Sequence, residues 1–360
     1  MHPMPTTDWY ARPSARSWTC QPAPREAIGF HATLPGYAPT PLREMPVLAE
    51  ELGVHRVFVK DESARLGLPA FKILGASWAI HRALAERPGG RLVTATDGNH
   101  GRAVARTARL LGLTAEVFVP TAVHPAAAAA IAREGARVTR VDGAYDDAVH
   151  RAADAAARAP GAVLVQDTAL PGYTRIPGWI IEGYATLFDE TDAQLRALGA
   201  GPAGLVAVPV GVGSLAQAAV SHYRAPRDAP PPSLLSVEPD TAAGVLTSLT
   251  AGRPTTVGTG ATIMAGLNCG TPSSSAWPLL RDGLDAAVAV TDAESARAAR
   301  DLAALGLSSG PCGAASLAGA RAALTSAAGR RAALAEHSTR TVVLLNTEGA
   351  EANPHESAGW

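Results

Sequence analysis

Lys60 to Gly75 reads KDESARLGLPAFKILG and holds both lysines of the 360-residue chain, Lys60 and Lys72. Lys72 stands in Ala70-Phe71-Lys72-Ile73-Leu74-Gly75, between a loop containing Gly67 and Pro69 and an apolar stretch with helical spacing. An amine at the start of a buried helix is costly unless its charge is relieved. One form of relief is conversion to an imine with an aldehyde cofactor. The other is a snorkelling side chain that keeps its head in water. The local pattern leaves both open, and three stretches further along bear on the choice.

Around this stretch the chain alternates between strand and helix patterns. Arg56–Lys60 reads as a strand and Ile73–Glu86 as a helix. Strands then follow at Arg91–Thr96, Ala115–Pro120, Ala136–Val141 and Ala162–Asp167, separated by helices at Gly101–Leu111, Pro125–Gly135 and Tyr145–Ala159. A second block has helices at Ile176–Leu187, Leu215–Tyr223, Ala293–Leu305 and Gly313–Leu324, with strands at Leu205–Val210, Leu234–Pro239 and Thr341–Asn346. The order predicts an α/β fold of parallel sheets with crossover helices. The strands are nearly all apolar, as expected when both faces are covered. Residues 1–40 lack periodicity and read as a surface arm, and Pro41–Leu52 reads as a short helix.

Composition narrows the function classes. The length suits about two domains of ~100–200 residues. Hydrophobic residues are 47% and charged residues 18%, a globular composition. A net charge of -1 gives no reason to expect nucleic acid or an acidic membrane surface as partner. Of 31 basic residues 29 are arginine, which fits codon bias rather than function. Cys20, Cys269 and Cys312 show no ligand spacing, so no metal site is expected. The N-terminus lacks the apolar core of a signal peptide, and no apolar run is long enough to span a bilayer. A reduced, cytoplasmic chain is the simpler expectation.

Three stretches carry chemistry. Gly211-Val212-Gly213-Ser214 follows an apolar strand and opens a helix, where backbone amides and the helix terminus favour an anion. With no GK[ST] and no third glycine it suits a phosphate monoester better than a nucleotide; the plain alternative is a tight strand-to-helix turn. Thr96-Asp97-Gly98-Asn99-His100-Gly101 also joins strand to helix. Its amides suit a substrate carboxylate, and Asn99 suits a phenolic oxygen on a cofactor ring. Asp97 is either a helix cap or a partner for a substrate cation, since it would repel a bound carboxylate. His100 is more often a packed histidine than a catalyst. Gln166-Asp167-Thr168 lies at a strand's C-terminal end, where open parallel sheets bind ligands.

Taken together, Lys72 in its FK-x-LG-A setting, Thr96–Arg102, Val165–Thr168 with the following GYTRIPGW, GVGS at 211–214, Ala265–Pro278 and the closing Asn346-Thr347-Glu348-Gly349 resemble the fold-type II pyridoxal-phosphate enzymes. This is the tryptophan synthase β-subunit and threonine dehydratase group; within it the chain is most similar to the diaminopropionate ammonia-lyases. The resemblance runs from about Gly36 to Gly349, and the ordered set is far more specific than any one tetrapeptide.

The resemblance implies two parallel-sheet domains with the active site between them: a large cofactor domain of residues 1–74 and 171–360, and a small α/β domain of residues 75–170. It implies pyridoxal 5'-phosphate joined to Lys72 as an imine, with its phosphate on Gly211, Val212, Gly213 and Ser214. Phe71, Asn99, Asn346 and Thr347 would complete the cofactor site. Thr96, Asp97, Gly98, His100, Asp167 and Thr168 would take a small amino-acid substrate. Lys72 and Asp97 would serve opposite faces of Cα, and Asp97 and Asp167 the two ammonium groups of a diamino acid. Relatives usually carry Ser or Thr where Asn346 stands, facing the ring nitrogen; an asparagine amide can still donate there. The group is commonly dimeric. The implied activity is elimination of ammonia from 2,3-diaminopropionate. The alternatives are elimination or replacement on another β-substituted amino acid, and an idle amino-acid-binding scaffold, against which Lys72 argues.

Overall fold

A computed structural model describes residues 8–96, 98–143, 145–169, 172–325, 328–334 and 336–352. The backbone divides into two compact units. One takes the chain up to Ala23, Thr40–Asp61 and Leu187–Thr347; the other takes Pro24–Pro39, Glu62–Thr186 and the chain from Glu348. The division falls after Asp61 and Thr186, where the sequence reading cuts after residues 74 and 170. In chain order the strands are β1 (Trp9–Ala11), β2 (Leu42–Glu44), β3 (Arg56–Asp61), β4 (Arg91–Ala95), β5 (Thr114–Pro120), β6 (Arg137–Val141), β7 (Ala162–Leu164), β8 (Leu205–Pro209), β9 (Ser233–Pro239), β10 (Ala286–Val290) and β11 (Thr341–Asn346).

In the first unit the sheet order is β1-β10-β9-β8-β11-β3-β2. Pairing is parallel from β10 to β3, and β1 and β2 close the edges antiparallel. Strands β8, β9 and β11 are buried along their whole length. Burial of that kind, with mostly apolar side chains, is what a doubly covered parallel sheet requires. Residues 1–40, expected to be an arm, instead supply β1, which pairs Trp9 with Val288, and a helix at Glu26–His31. The expected helix at Pro41–Leu52 resolves into β2 followed by a helix at Pro46–Leu52.

Lys60, at the end of β3, is fully buried. Its ammonium donates to Thr40 O (2.8 Å), Glu190 Oε2 (2.7 Å) and Gln194 Oε1 (2.9 Å). Three N–H groups thus meet three acceptors, which makes burial of the charge tolerable. Lys60→Met is expected to destabilise the fold by about 3–5 kcal/mol, because it strands the buried Glu190 carboxylate. The midpoint of urea unfolding measures this, and an unchanged midpoint would show that the pair is not essential.

In the second unit the order is β6-β5-β4-β7, all parallel. Along β4, Leu92 faces one apolar layer with Ile73, Val104 and Val117. Val93 and Ala95 face the other, with Phe118, Val141 and Val149. The order reverses between β4 and β7, the switch point where open α/β sheets bind ligands beyond their strand ends. Strand β7 ends at Leu164, so Gln166, Asp167 and Thr168 lie in the bend beyond it.

The Ile73–Glu86 helix ends at Arg87, which is extended (φ -140°) because Pro88 follows. It packs on the Arg175–Ala197 helix, which runs ten residues past the expected end at Leu187. The contact is made at glycines. A Cβ on Gly75 would lie 2.6 Å from Tyr184 Cε1 and 2.8 Å from Ile180 O, and one on Gly183 would lie 2.5 Å from Leu74 O. Gly75→Ala is therefore expected to cost about 1–3 kcal/mol by overpacking; a stable variant in denaturant titration would mean that the helices can part freely.

Candidate active site

Lys72 is the residue that immediately precedes the Ile73–Glu86 helix. Its side chain is 24% exposed, and Nζ donates to Asp167 Oδ2 at 2.9 Å. The amine is thus neither snorkelled into water nor sealed away. It also lies 5.7 Å from the ring centre of Phe71. Phe71 is buried in turn against the ring of Tyr184, centroids 4.8 Å apart.

Asp167 is held in place by its neighbours. Gln166 Oε1 accepts from the amide of Ala95 (3.0 Å), and the Gln166 amide donates to Tyr173 Oη (2.8 Å). Tyr173 Oη itself donates to Leu164 O, so the bend is fastened to both β4 and β7. Burial pushes the Asp167 carboxyl up, but the Lys72 ammonium, by its charge and its hydrogen bond, outweighs it and brings it to about 2. The carboxylate therefore stays ionised across any working pH.

The strand-to-helix turn after β4 supplies the second side of the cluster. Thr96 is buried, and its Oγ1 accepts from the amides of Gly98 (3.0 Å) and Gly101 (3.1 Å). The helix begins at Asn99 rather than Gly101. Gly101 is required there, since a Cβ would lie 2.3 Å from Thr96 Cγ2. Asn99 Nδ2 donates to Glu348 Oε2 at 2.7 Å, which spends one of its two N–H groups. His100 Nε2 lies 2.7 Å from Val165 O, so that nitrogen carries the proton. Nδ1 is then an acceptor; it lies 3.9 Å from Asp167 and has no hydrogen-bond partner. Burial lowers the histidine's basicity and outweighs the nearby carboxylate, so the ring is neutral. Thr168 is half-buried in the same bend. Asp97 lies outside the described residues.

The other expected ligand stretch belongs to the first unit. Beyond β8, Gly213 adopts φ +101° and the Ser214–Tyr223 helix begins. A Cβ on Gly213 would lie 2.6 Å from Leu280 Cδ1, and one on Gly211 would lie 3.0 Å from Gly266 O. Val212 O accepts from the Ser273 amide at 2.8 Å. Only glycine fits this cradle, and it ends at a helix N-terminus, where first-turn amides have no partner within the helix. That shape and donor set fit a phosphate. Asn346, at the end of the neighbouring β11, is fully buried. It donates to Asp61 Oδ1 (3.1 Å) and Ser308 O (2.8 Å), and accepts from Ser309 Oγ (2.7 Å). Both of its N–H groups are therefore engaged within the protein. Thr347 follows it, also buried.

Sequence reasoning missed Tyr184, Tyr173 and Glu348. Tyr184 is one of many polar residues in its helix, and its one signal is the pair of facing glycines. Glu348 was visible in the closing motif, but nothing local tied it to Asn99. Among the described residues no group of His, Cys, Asp or Glu is placed to hold a metal.

Comparison with known proteins agrees with this geometry. Diaminopropionate ammonia-lyase of Salmonella typhimurium is 38% identical over 300 residues, 76% of this chain and 74% of that protein. The crystal structure of the Escherichia coli diaminopropionate ammonia-lyase, in complex with an aminoacrylate-PLP azomethine reaction intermediate, superposes with a TM-score of 0.81. It is 33% identical, over 95% of this chain and 91% of that one. Maize serine racemase shares the fold, with a TM-score of 0.79 at 23% identity over 94% and 96% of the two chains. A family model described as pyridoxal-phosphate dependent enzyme matches residues 33–348. With that match spanning most of its length, the chain belongs to the pyridoxal-phosphate dependent enzyme family.

Proposed function

We propose that the protein is a carbon–nitrogen lyase that takes 2,3-diaminopropionate to aminoacrylate, which hydrolyses to pyruvate and ammonia. The observation that carries this reading is the pair formed by Lys72 and Asp167, 2.9 Å apart. It sets a carboxylate, held in its charged form by the Lys72 ammonium, beside the amine expected to bind the cofactor. A fixed negative charge there suits a substrate with a second ammonium and would burden one with a hydroxyl. The high identity to diaminopropionate ammonia-lyases supports it.

When bound, pyridoxal 5'-phosphate supplies an electron sink that lets Cα of an amino acid lose its proton. Gly211, Val212, Gly213 and Ser214 would hold its phosphate, and Lys72 would anchor it. Phe71, Asn99, Asn346 and Thr347 would line it; with its amide engaged by Asp61 and Ser308, Asn346 would shape the site rather than donate to the ring. Thr96, Gly98, His100 and Thr168 frame the substrate, whose carboxylate meets the amides that open the Asn99–Leu110 helix. Lys72 Nζ, once free, takes the Cα proton from one face, and Asp97 serves the other. A base so placed contributes roughly 10²–10⁴-fold. Asp167, too acidic to donate a proton, keeps the leaving β-amine in its ammonium form by charge.

Among the described residues no helix is long and apolar enough to cross a membrane. We read the chain as a cytoplasmic homodimer; three widely spaced cysteines support a reducing compartment. Ammonia and pyruvate release measured across diaminopropionate, serine, threonine and O-acetylserine tests the substrate. Diaminopropionate is expected to dominate, and fast turnover of a hydroxy amino acid with none of diaminopropionate would overturn the reading.

A further inference from the structure

Tyr184 lies in the Arg175–Ala197 helix and is fully buried. Its ring is fixed between Phe71 and the bare Cα of Gly75. Its hydroxyl faces the Lys72 ammonium, close enough to pair with it, and the Asp167 carboxylate, and no hydrogen bond ties it to any other group. A buried hydroxyl left in that state is costly, and no fold requirement places it there: phenylalanine would fill the same space. Three titratable groups face the Lys72 amine among the described residues: Asp167 from the bend after β7, His100 from the Asn99–Leu110 helix, and Tyr184. Asp167 can only accept, so it serves the ammonium alone. The His100 proton is committed to Val165 O. A phenol can accept from an ammonium and donate to a neutral amine.

We propose that Tyr184 is a positioning residue for Lys72, holding its amine through both protonation states while Asp167 turns to the substrate. Burial, more than the Lys72 charge opposes, pushes the phenol up to about 12, so its proton remains available for donation throughout the working range. The hydrogen bond from the ammonium is the stronger of the two, because a charged donor bonds more tightly than a neutral one. Tyr184 therefore raises the basicity of Lys72 as well as aiming it. This rests on Lys72 being the reactive amine, and not on which amino acid is the substrate.

The test needs no turnover. Protein stripped of cofactor is mixed with pyridoxal 5'-phosphate, and the rate of uptake is followed by absorbance as a function of pH. In Tyr184→Phe the pH midpoint of uptake is expected to fall by about half to one unit, and the plateau rate to fall several-fold. A merely structural tyrosine would lower the plateau and leave the midpoint where it was. A midpoint that is unmoved or raised overturns the proposal. Should Tyr184→Phe fail to fold, the crystal structure of Asp167→Asn decides. Lys72 Nζ within hydrogen-bond distance of Tyr184 Oη upholds the proposal, and Nζ turned away from it overturns it. A failure of the substrate panel would leave both readouts untouched, so the two readings fail separately.

Discussion

Lys72→Ala is expected to abolish turnover, with a loss of more than about 10³-fold, and to remove the visible absorbance of the bound cofactor. Two contributions disappear with one side chain: the covalent anchor and the base at Cα, the latter worth roughly 10²–10⁴-fold by itself. Stability should change too, in a way that identifies the cause. Asp167 is held at about 2 against an ordinary 3.8, a depressed carboxylate. Its stabilisation is present above the ordinary value and lost as pH falls through about 2. The difference corresponds to about 2 kcal/mol at neutral pH. In Lys72→Ala burial acts on Asp167 with less opposition, so the wild type should be the more stable at pH 7, and the gap should begin to narrow below about 3.8 and close only as the pH approaches 2. Denaturant titrations across that pH range measure this. Full turnover with a retained absorbance band would remove Lys72 from the chemistry altogether.

How far such a site can be read from sequence depends on the distance over which its parts act. Strands β4, β5, β8 and β11 are legible because each is an apolar run that needs cover on both faces. The edges are not: β1 and β2 have three residues each and exist only because β10 and β3 offer them open backbone groups. Strand β10, Ala286–Val290, is AAVAV, and alanine carries no preference strong enough to distinguish it from the helices around it. Among the expected site residues, Lys72, Asp167 and the 211–214 loop each announce themselves through a local oddity, a charge or a glycine in an apolar setting. Their pairing does not. Lys72 and Asp167 are 95 positions apart, and only the placement of the Ile73–Glu86 helix against the switch point between β4 and β7 brings them together. Asn346 shows the same limit from the other side. Its type suggested a donor for a ring nitrogen, but its two N–H groups are taken by Asp61 and Ser308, partners that no spacing in the sequence reveals.

Asp167→Asn is the substitution that separates the two tasks given to that carboxylate. If Asp167 acts on the substrate's second ammonium, elimination of diaminopropionate should fall by roughly 10²–10⁴-fold. A slow turnover of serine, whose β-hydroxyl needs no counter-charge, should fall much less. If Asp167 instead acts only through Lys72, both substrates should lose activity in the same proportion, because the amine serves both. The pH profile provides an independent check. A carboxylate at about 2 is ionised throughout the range in which the protein is folded, so the acid limb of the wild-type rate belongs to another group; if that group is the Lys72 amine, Asp167→Asn should move the limb to lower pH, because the amine loses the carboxylate that favours its ammonium form. A limb that stays where it was would mean that the Lys72 amine is not the group that sets it. The asparagine keeps the shape and one acceptor oxygen of the aspartate but not its charge. A large, diaminopropionate-selective loss would thus locate the discrimination between amino and hydroxy substrates in a single fixed charge beside the lysine.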